Sequence, residues 1–207
     1  VSSADESGSI IRRVVGTMPG KELINYSLEL NTGLLQMVFT DLNGAKETLT
    51  VPPAYKVAAN TWTHVAMTYN GETTTMSLYV NGENIAEKFS SNQPVSSGPG
   101  IVSVKVGENF AGLIDDLRIW SDIRSADEIG DNMVALLDGG ELDLTAYYRF
   151  DDVDFDGRAV VAGQADAEAL ETAVAGGTAS YPTYYRHAAD SLKGNAQDWK
   201  NNWSSAA

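Results

Sequence analysis

Apolar and polar residues alternate through most of the first 120 positions, in short runs broken by turn residues. In the run 63–69, Val65, Met67 and Tyr69 share one face, and Met76, Leu78 and Val80 do the same in the next run. A period of two puts such side chains on one side of a pleated strand. The pattern predicts strands at 9–15, 26–31, 34–40, 47–51, 63–70, 75–80, 83–89, 101–106 and 110–120. Asn81-Gly82 between two of these runs is a strong hairpin signal, because a type I′ turn needs positive φ at both central residues. Asn70-Gly71, Asn31-Thr32-Gly33 and Asp41-Leu42-Asn43-Gly44 mark further chain reversals. Short strands so closely spaced indicate a sandwich rather than βαβ units.

One helical stretch interrupts the alternation. Ser125-Ala126-Asp127-Glu128 has the form of a capping box, in which Ser125 accepts from the Glu128 backbone N–H and the Glu128 side chain reaches back. Ile129, Met133, Leu136 and Leu137 then fall on one helical face, and Gly139-Gly140 closes the run. Such a stripe is expected to be core packing. Residues 144–150 resume as a strand, in which alternation turns one of Tyr147 and Tyr148 inward and the other outward. Beyond it the character changes. Residues 153–180 are rich in Ala, Gly and acid and read as an insertion, with 164–174 as a short exposed helix. Residues 181–207 are aromatic and polar without clear period, and read as an irregular return to the same domain. The expected organisation is a core over 1–152, the insertion, and the return segment.

Charge narrows the partners. The 14 basic and 28 acidic residues leave a net charge of −14. A phosphate backbone would repel such a chain, since nucleic-acid affinity rests on clustered Lys and Arg. Anionic membrane surfaces are disfavoured likewise, and no run approaches the roughly 18 apolar residues of a membrane-spanning helix. Divalent cations and basic partners are the natural counterparts, although acidity also serves solubility alone. The 207 residues contain no cysteine, so disulfides, thiolate metal sites and Cys nucleophiles are excluded together. Val1 reads as a processed or excised start.

Four ordered motifs carry a resemblance. Asn60-Thr61-Trp62-Thr63-His64-Val65-Ala66-Met67-Thr68-Tyr69-Asn70-Gly71, followed by Leu78-Tyr79-Val80-Asn81-Gly82, resembles the W-x-H-V-A-x-T-Y-D-G and L-Y-V-D-G segments of laminin-G-like, concanavalin-A-like lectin domains in bacterial surface proteins. Phe110-Ala111-Gly112-Leu113-Ile114-Asp115-Asp116-Leu117-Arg118-Ile119-Trp120 is similar to the F-x-G-x-I-D-E-V-R-I-W strand of those domains. The helix at Ser125 and the segment 144–152 follow in the same order. Ala189-Asp190-Ser191 with Asp198-Trp199 resembles the D-S-x-G-N tail. The resemblance implies an all-β, two-sheet antiparallel jelly-roll sandwich with one short helix. It further implies a non-catalytic module of an exported, extracellular or cell-surface bacterial protein, mediating adhesion or binding a glycan or protein ligand. The family opens with an apolar strand of the F-S-I-S-A-W-V-K kind and closes with another after its tail. Here residues 1–8 are polar and the closing strand does not appear. Either flanking residues of a longer protein supply those strands, or neighbouring copies donate them. The second case reads as a structural subunit of an extracellular polymer.

Three kinds of candidate site remain. Jelly-roll glycanases carry E-x-D-x-x-E because retaining hydrolysis needs an acid and a nucleophile about 5 Å apart. Glu141-Leu142-Asp143-Leu144-Thr145-Ala146 lacks the last carboxylate, and a catalytic role is not expected. Calcium fits better. Hard cations gather clustered oxygens, and Asp152, Asp154 and Asp156 stand at positions 1, 3 and 5 of a D-x-D-x-D-G loop with Gly157 at position 6. Position 12 is Gly163 in place of the bidentate Glu, so a solvated acidic loop is an equal reading. Asp115, with Asp116, is a second metal candidate, because the resemblance places that segment near a metal-binding rim. Tyr181, Tyr184 and Tyr185 form a candidate ligand or interface surface, since exposed aromatics serve both sugars and protein contacts.

Overall fold

The computed structural model describes residues 1–18, 21–100 and 102–150. Within them the period-two runs become strands β1 (Gly8–Met18), β2 (Lys21–Asn31), β3 (Leu34–Thr40), β4 (Lys46–Thr50) and β5 (Val65–Asn70), followed by β6 (Thr75–Val80), β7 (Glu83–Phe89), β8 (Ser103–Val106), β9 (Leu117–Trp120) and β10 (Leu144–Tyr148). Helix α1 (Ala126–Asn132) lies between the last two. All pairings among the described strands are antiparallel.

The turn chemistry sets the register. Asn81 and Gly82 have φ of 50° and 83°, as the type I′ hairpin between β6 and β7 requires. Thr32 and Gly33, at 50° and 79°, make the equivalent two-residue loop between β2 and β3. Asp41 closes the β3–β4 reversal by accepting at Oδ1 from the N–H groups of Asn43 (2.9 Å) and Ala45 (2.7 Å).

These hairpins build a five-stranded sheet of order β4-β3-β2-β1-β8, a three-stranded sheet β5-β6-β7 and a two-stranded sheet β10-β9. Strands β3 and β4 pack against β6 and β7. Side chains from all three sheets share one core, in which Leu35, Phe39, Met76 and Leu78 are fully buried. Phe39 meets Tyr69 edge-to-face across it, with centroids 5.5 Å apart. Burying each such side chain stabilises the fold by about 1.5–3 kcal/mol. At the rim, Lys88 of β7 donates to Glu47 of β4 at 2.7 Å. That bond and those from Ser91 hold the Glu47 carboxyl below the usual carboxylate range. The architecture is the expected all-β, two-layer antiparallel sandwich, with the second layer in two pieces.

Several boundaries differ from the sequence reading, each for a local reason. Residues 110–116 are not strand, because Asn109 and Asp116 have φ of 56° and 57°, which interrupts an extended backbone. The capping box forms as expected, with Ser125 Oγ accepting from the Glu128 N–H. The helix nevertheless stops at Asn132, short of Leu136 and Leu137, where the Arg118 guanidinium donates to the carbonyls of Asn132 and Ala135 at 2.6 Å each. Ile129 and Leu137 are buried, but Leu136 is exposed. Tyr147 and Tyr148 do alternate, yet both are buried. Tyr148 joins the core and stacks on Phe150, whereas Tyr147, on the other face, is covered by Arg118. No helix among the described residues is long and apolar enough to cross a membrane.

Candidate functional site

Strands β5 and β9 differ from their neighbours in burial. Each residue of both is only partly buried, whereas five of six in β6 and three of five in β10 are buried. The cause is a groove of about 850 Å³ between them. Its walls are β5 with 60–64 and β9 with 110–116, and residues of β1, β2 and β3, including Ile11, Leu28 and Met37, make its apolar floor. Among the described residues, the two pieces of the second layer therefore face each other across a gap, with residues of the shared core in its lining. Alternation along β5 sends Val65, Met67 and Tyr69 toward that core.

Charged and aromatic groups also line the groove. Arg118 pairs with Asp116, and both side chains are nearly buried, at 10% and 11% exposure. The same guanidinium holds the two carbonyls beyond α1 and lies 5.1 Å from the Tyr147 ring centroid. Burial and the Asp116 carboxylate push the Tyr147 phenol upward. Arg124 stacks over Trp120 at 4.4 Å and reaches Glu128 at 3.1 Å. Trp62 lines the opposite wall. His64, beside Trp62, donates its backbone N–H to Asn81 Oδ1 at 3.1 Å, which anchors the start of β5 to the hairpin turn. Its Nδ1 is buried with no hydrogen-bond partner among the described residues. Burial, aided by the charge of Arg118, pushes the His64 imidazole down to about 4, so it is neutral near pH 7.

The candidate residues from sequence divide sharply. Asp115 lies on the groove wall, where its Oδ1 accepts from the Asp116 N–H at 2.9 Å. Among the described residues, no group of three or more His, Asp or Glu gathers as a metal site would require. Asp152, Asp154, Asp156, Tyr181, Tyr184 and Tyr185 lie outside the described residues. Glu141 caps a turn, accepting from the N–H groups of Asp138 and Gly139 at 3.0 Å each. Sequence reasoning did not single out Trp62, Trp120 or Arg118. Their placement in the two strongest motifs was the available signal.

The groove belongs to a recognisable frame. Residues 2–130 match the family model for the concanavalin A-like lectin/glucanases superfamily. The chain belongs to that superfamily. Among solved structures, a candidate carbohydrate binding protein of Bacteroides ovatus is similar at 19% identity and a TM-score of 0.49, over 70% of this chain and 45% of that one. The CBM40 of the Ruminococcus gnavus IT-sialidase, bound to α2,3-sialyllactose, is similar at 22% identity and a TM-score of 0.41, over 55% and 58%. An S-layer domain-containing protein of Clostridium thermocellum is similar at 24% identity and a TM-score of 0.30, over 63% and 64%. This chain thus spans less than two thirds of the length of each of these structures. No curated protein matches it. Within the superfamily's frame, the groove between β5 and β9 is the concave surface in which apolar, aromatic and charged groups converge.

Proposed function

We propose that this chain is a non-catalytic, laminin-G-like binding module of an exported cell-surface protein, which holds a glycan at the groove's rim and serves adhesion. The observation that carries this reading is the lining of the groove, which includes Trp62 and Trp120 together with Asp115, Arg118 and Arg124. Sugars present C–H faces that lie against indoles and hydroxyls that bond to charged groups. A concave, largely apolar site with a few convergent polar groups suits such a ligand. Superfamily membership supports the same class. The non-catalytic reading is supported by the engagement of Glu141 in a turn and by the buried, neutral state of His64. Calcium is the cation of choice for Asp115 and for the acidic run at Asp152, Asp154 and Asp156, because hard cations take carboxylate oxygens.

A glycan array probed with the full chain, with calcium and then with a chelator, tests the proposal. The expected result is retention of a defined glycan set and at least a tenfold loss with Trp120→Ala, equivalent to about 1.4 kcal/mol. Absence of retention on any glycan would overturn it, and release of shortened glycans would overturn the non-catalytic assignment. Unchanged retention in chelator would remove calcium from the reading.

A further inference from the structure

We infer that Asn43 is a self-modification site, at which the Gly44 backbone nitrogen attacks the Asn43 side-chain amide and leaves isoaspartate in the turn between β3 and β4. The bond from Gly44 N to Asn43 Cγ forms as the Cγ–Nδ2 bond breaks, and the Gly44 amide proton departs with Nδ2 as ammonia. Water then adds across the resulting succinimide. Opening at the Asn43 backbone carbonyl routes the main chain through the side chain as isoaspartate, and opening at Cγ gives aspartate. The step consumes only water. A glycine next in sequence favours it, because no Cβ crowds the approaching nitrogen. Three Asn-Gly pairs meet that condition, at 43–44, 70–71 and 81–82, and their surroundings in the fold set them apart.

Asn43 is exposed, and among the described residues its carboxamide makes no hydrogen bond; its backbone N–H is held by Asp41 Oδ1 at 2.9 Å. The Gly44 N–H donates to the Asp41 carbonyl at 2.9 Å, a bond in the peptide plane that leaves the faces of the nitrogen free. Beyond the adjacent residues, the described group within 4 Å of where a Cβ would stand on Gly44 is the Lys21 ammonium, at 3.6 Å. Lys21 is exposed and has no ion pair among the described residues, so its charge is available to the oxyanion that develops on Asn43 Oδ1. The other two pairs are restrained. Asn70 Oδ1 accepts from the N–H groups of Glu72 (2.9 Å) and Thr73 (3.1 Å), and turning toward Gly71 would break both bonds. Asn81 Oδ1 holds the His64 N–H at 3.1 Å, and Gly130 Cα of α1 stands 2.9 Å from where a Cβ on Gly82 would be. Isoaspartate at position 43 lengthens the main chain of the turn. The bonds from the Asn43 and Ala45 N–H groups to Asp41 Oδ1, and from the Leu42 N–H to the Gln93 carbonyl, then lose their spacing.

This inference is independent of the glycan reading, since the turn lies outside the groove lining. Its test incubates the full chain in warm, mildly alkaline buffer, folded and in guanidinium chloride, and follows each Asn-Gly pair by peptide mapping and mass spectrometry. In the folded chain Asn43 is expected to convert roughly tenfold faster than Asn70 or Asn81, the factor that one hydrogen bond broken beforehand imposes. The product peptide should carry isoaspartate, read by methylation with an isoaspartate-specific methyltransferase. In guanidinium chloride the three rates should converge. Lys21→Gln should slow Asn43 at least twofold in the folded chain and leave the unfolded rate unchanged. Amide exchange of Leu42 and Ala45 should quicken in the converted fraction. Conversion of Asn70 or Asn81 as fast as Asn43 in the folded chain overturns the inference, as does absence of isoaspartate at position 43. The same ordering in guanidinium chloride would show that neighbouring sequence, not the fold, sets the rates, and equally overturn it. An unchanged rate in Lys21→Gln removes the ammonium from the mechanism.

Discussion

Arg118 is the side chain through which β9, α1 and β10 are joined, and its replacement is the most informative perturbation. The guanidinium bonds Asp116, the carbonyls of Asn132 and Ala135, and lies over Tyr147. Removing one member of a buried ion pair costs about 3–5 kcal/mol, because the remaining charge keeps its desolvation penalty. Two carbonyls lose a charged donor in the same step, so the upper part of that range is expected. Arg118→Met preserves the length of the side chain and should destabilise the fold by ~4 kcal/mol. For a chain of this size that lowers Tm by roughly 8–16 °C, at about 2–4 °C per kcal/mol. Urea unfolding followed by tryptophan fluorescence measures the loss directly. The double variant Arg118→Met/Asp116→Asn should recover at least ~1 kcal/mol relative to the sum of the single variants, as coupled neighbours do. Arg118→Lys should fall between, since a point charge cannot serve the carboxylate and both carbonyls at once. A loss below ~1 kcal/mol for Arg118→Met would refute the claim that this guanidinium holds β9 to the end of α1, and strict additivity in the cycle would refute its coupling to Asp116.

Two further outcomes follow from local geometry. The folded-state pKa of His64 lies at about 4, below its unfolded value of 6.5. The unfolded chain therefore binds the extra proton first, and the contribution of His64 is complete above pH 6.5 and lost as pH falls toward 4. The slope in that window should be about 1.4 kcal/mol per pH unit. Urea titrations from pH 7 to 5 should show this slope and its disappearance in His64→Gln, and an unchanged slope in that variant would refute the assignment. Gly82→Ala places a Cβ at a φ of 83° and 2.9 Å from Gly130 Cα in α1. It should cost about 1–2 kcal/mol for the left-handed backbone, and helix-specific amide exchange should show α1 loosened. Protection of α1 equal to that of the unmodified chain would show that the turn does not seat the helix.

Much of the fold was legible because a period of two is a local property. Val65, Met67 and Tyr69 announce their common face in the sequence, and Asn81-Gly82 announces its turn, since each depends only on backbone sterics and neighbouring residues. The capping box at Ser125 is equally local. The errors fell where a distant group intervened. Nothing near Met133 in the sequence says that Arg118 takes the carbonyls at the end of the helix, and nothing beside Tyr147 says that the same guanidinium covers its outward face. The candidate site followed the same division. The sequence offered Asp115 with Asp116 only as a metal candidate through the resemblance, whereas its place on the groove wall and the pairing of Asp116 with Arg118, on a left-handed backbone, are displayed only by the assembled chain.

The sequence by itself determined that this chain is an antiparallel β-sandwich with one capped helix, and its motifs carried the superfamily. Alternation, turn dipeptides and a capping box are short-range, so no tertiary knowledge was needed to read them. Only the tertiary structure decided that, among the described residues, β5 and β9 face each other across a groove. Strand order and the spacing of sheet edges depend on how sheets pack, and positions fifty residues apart in the chain carry no local mark of it.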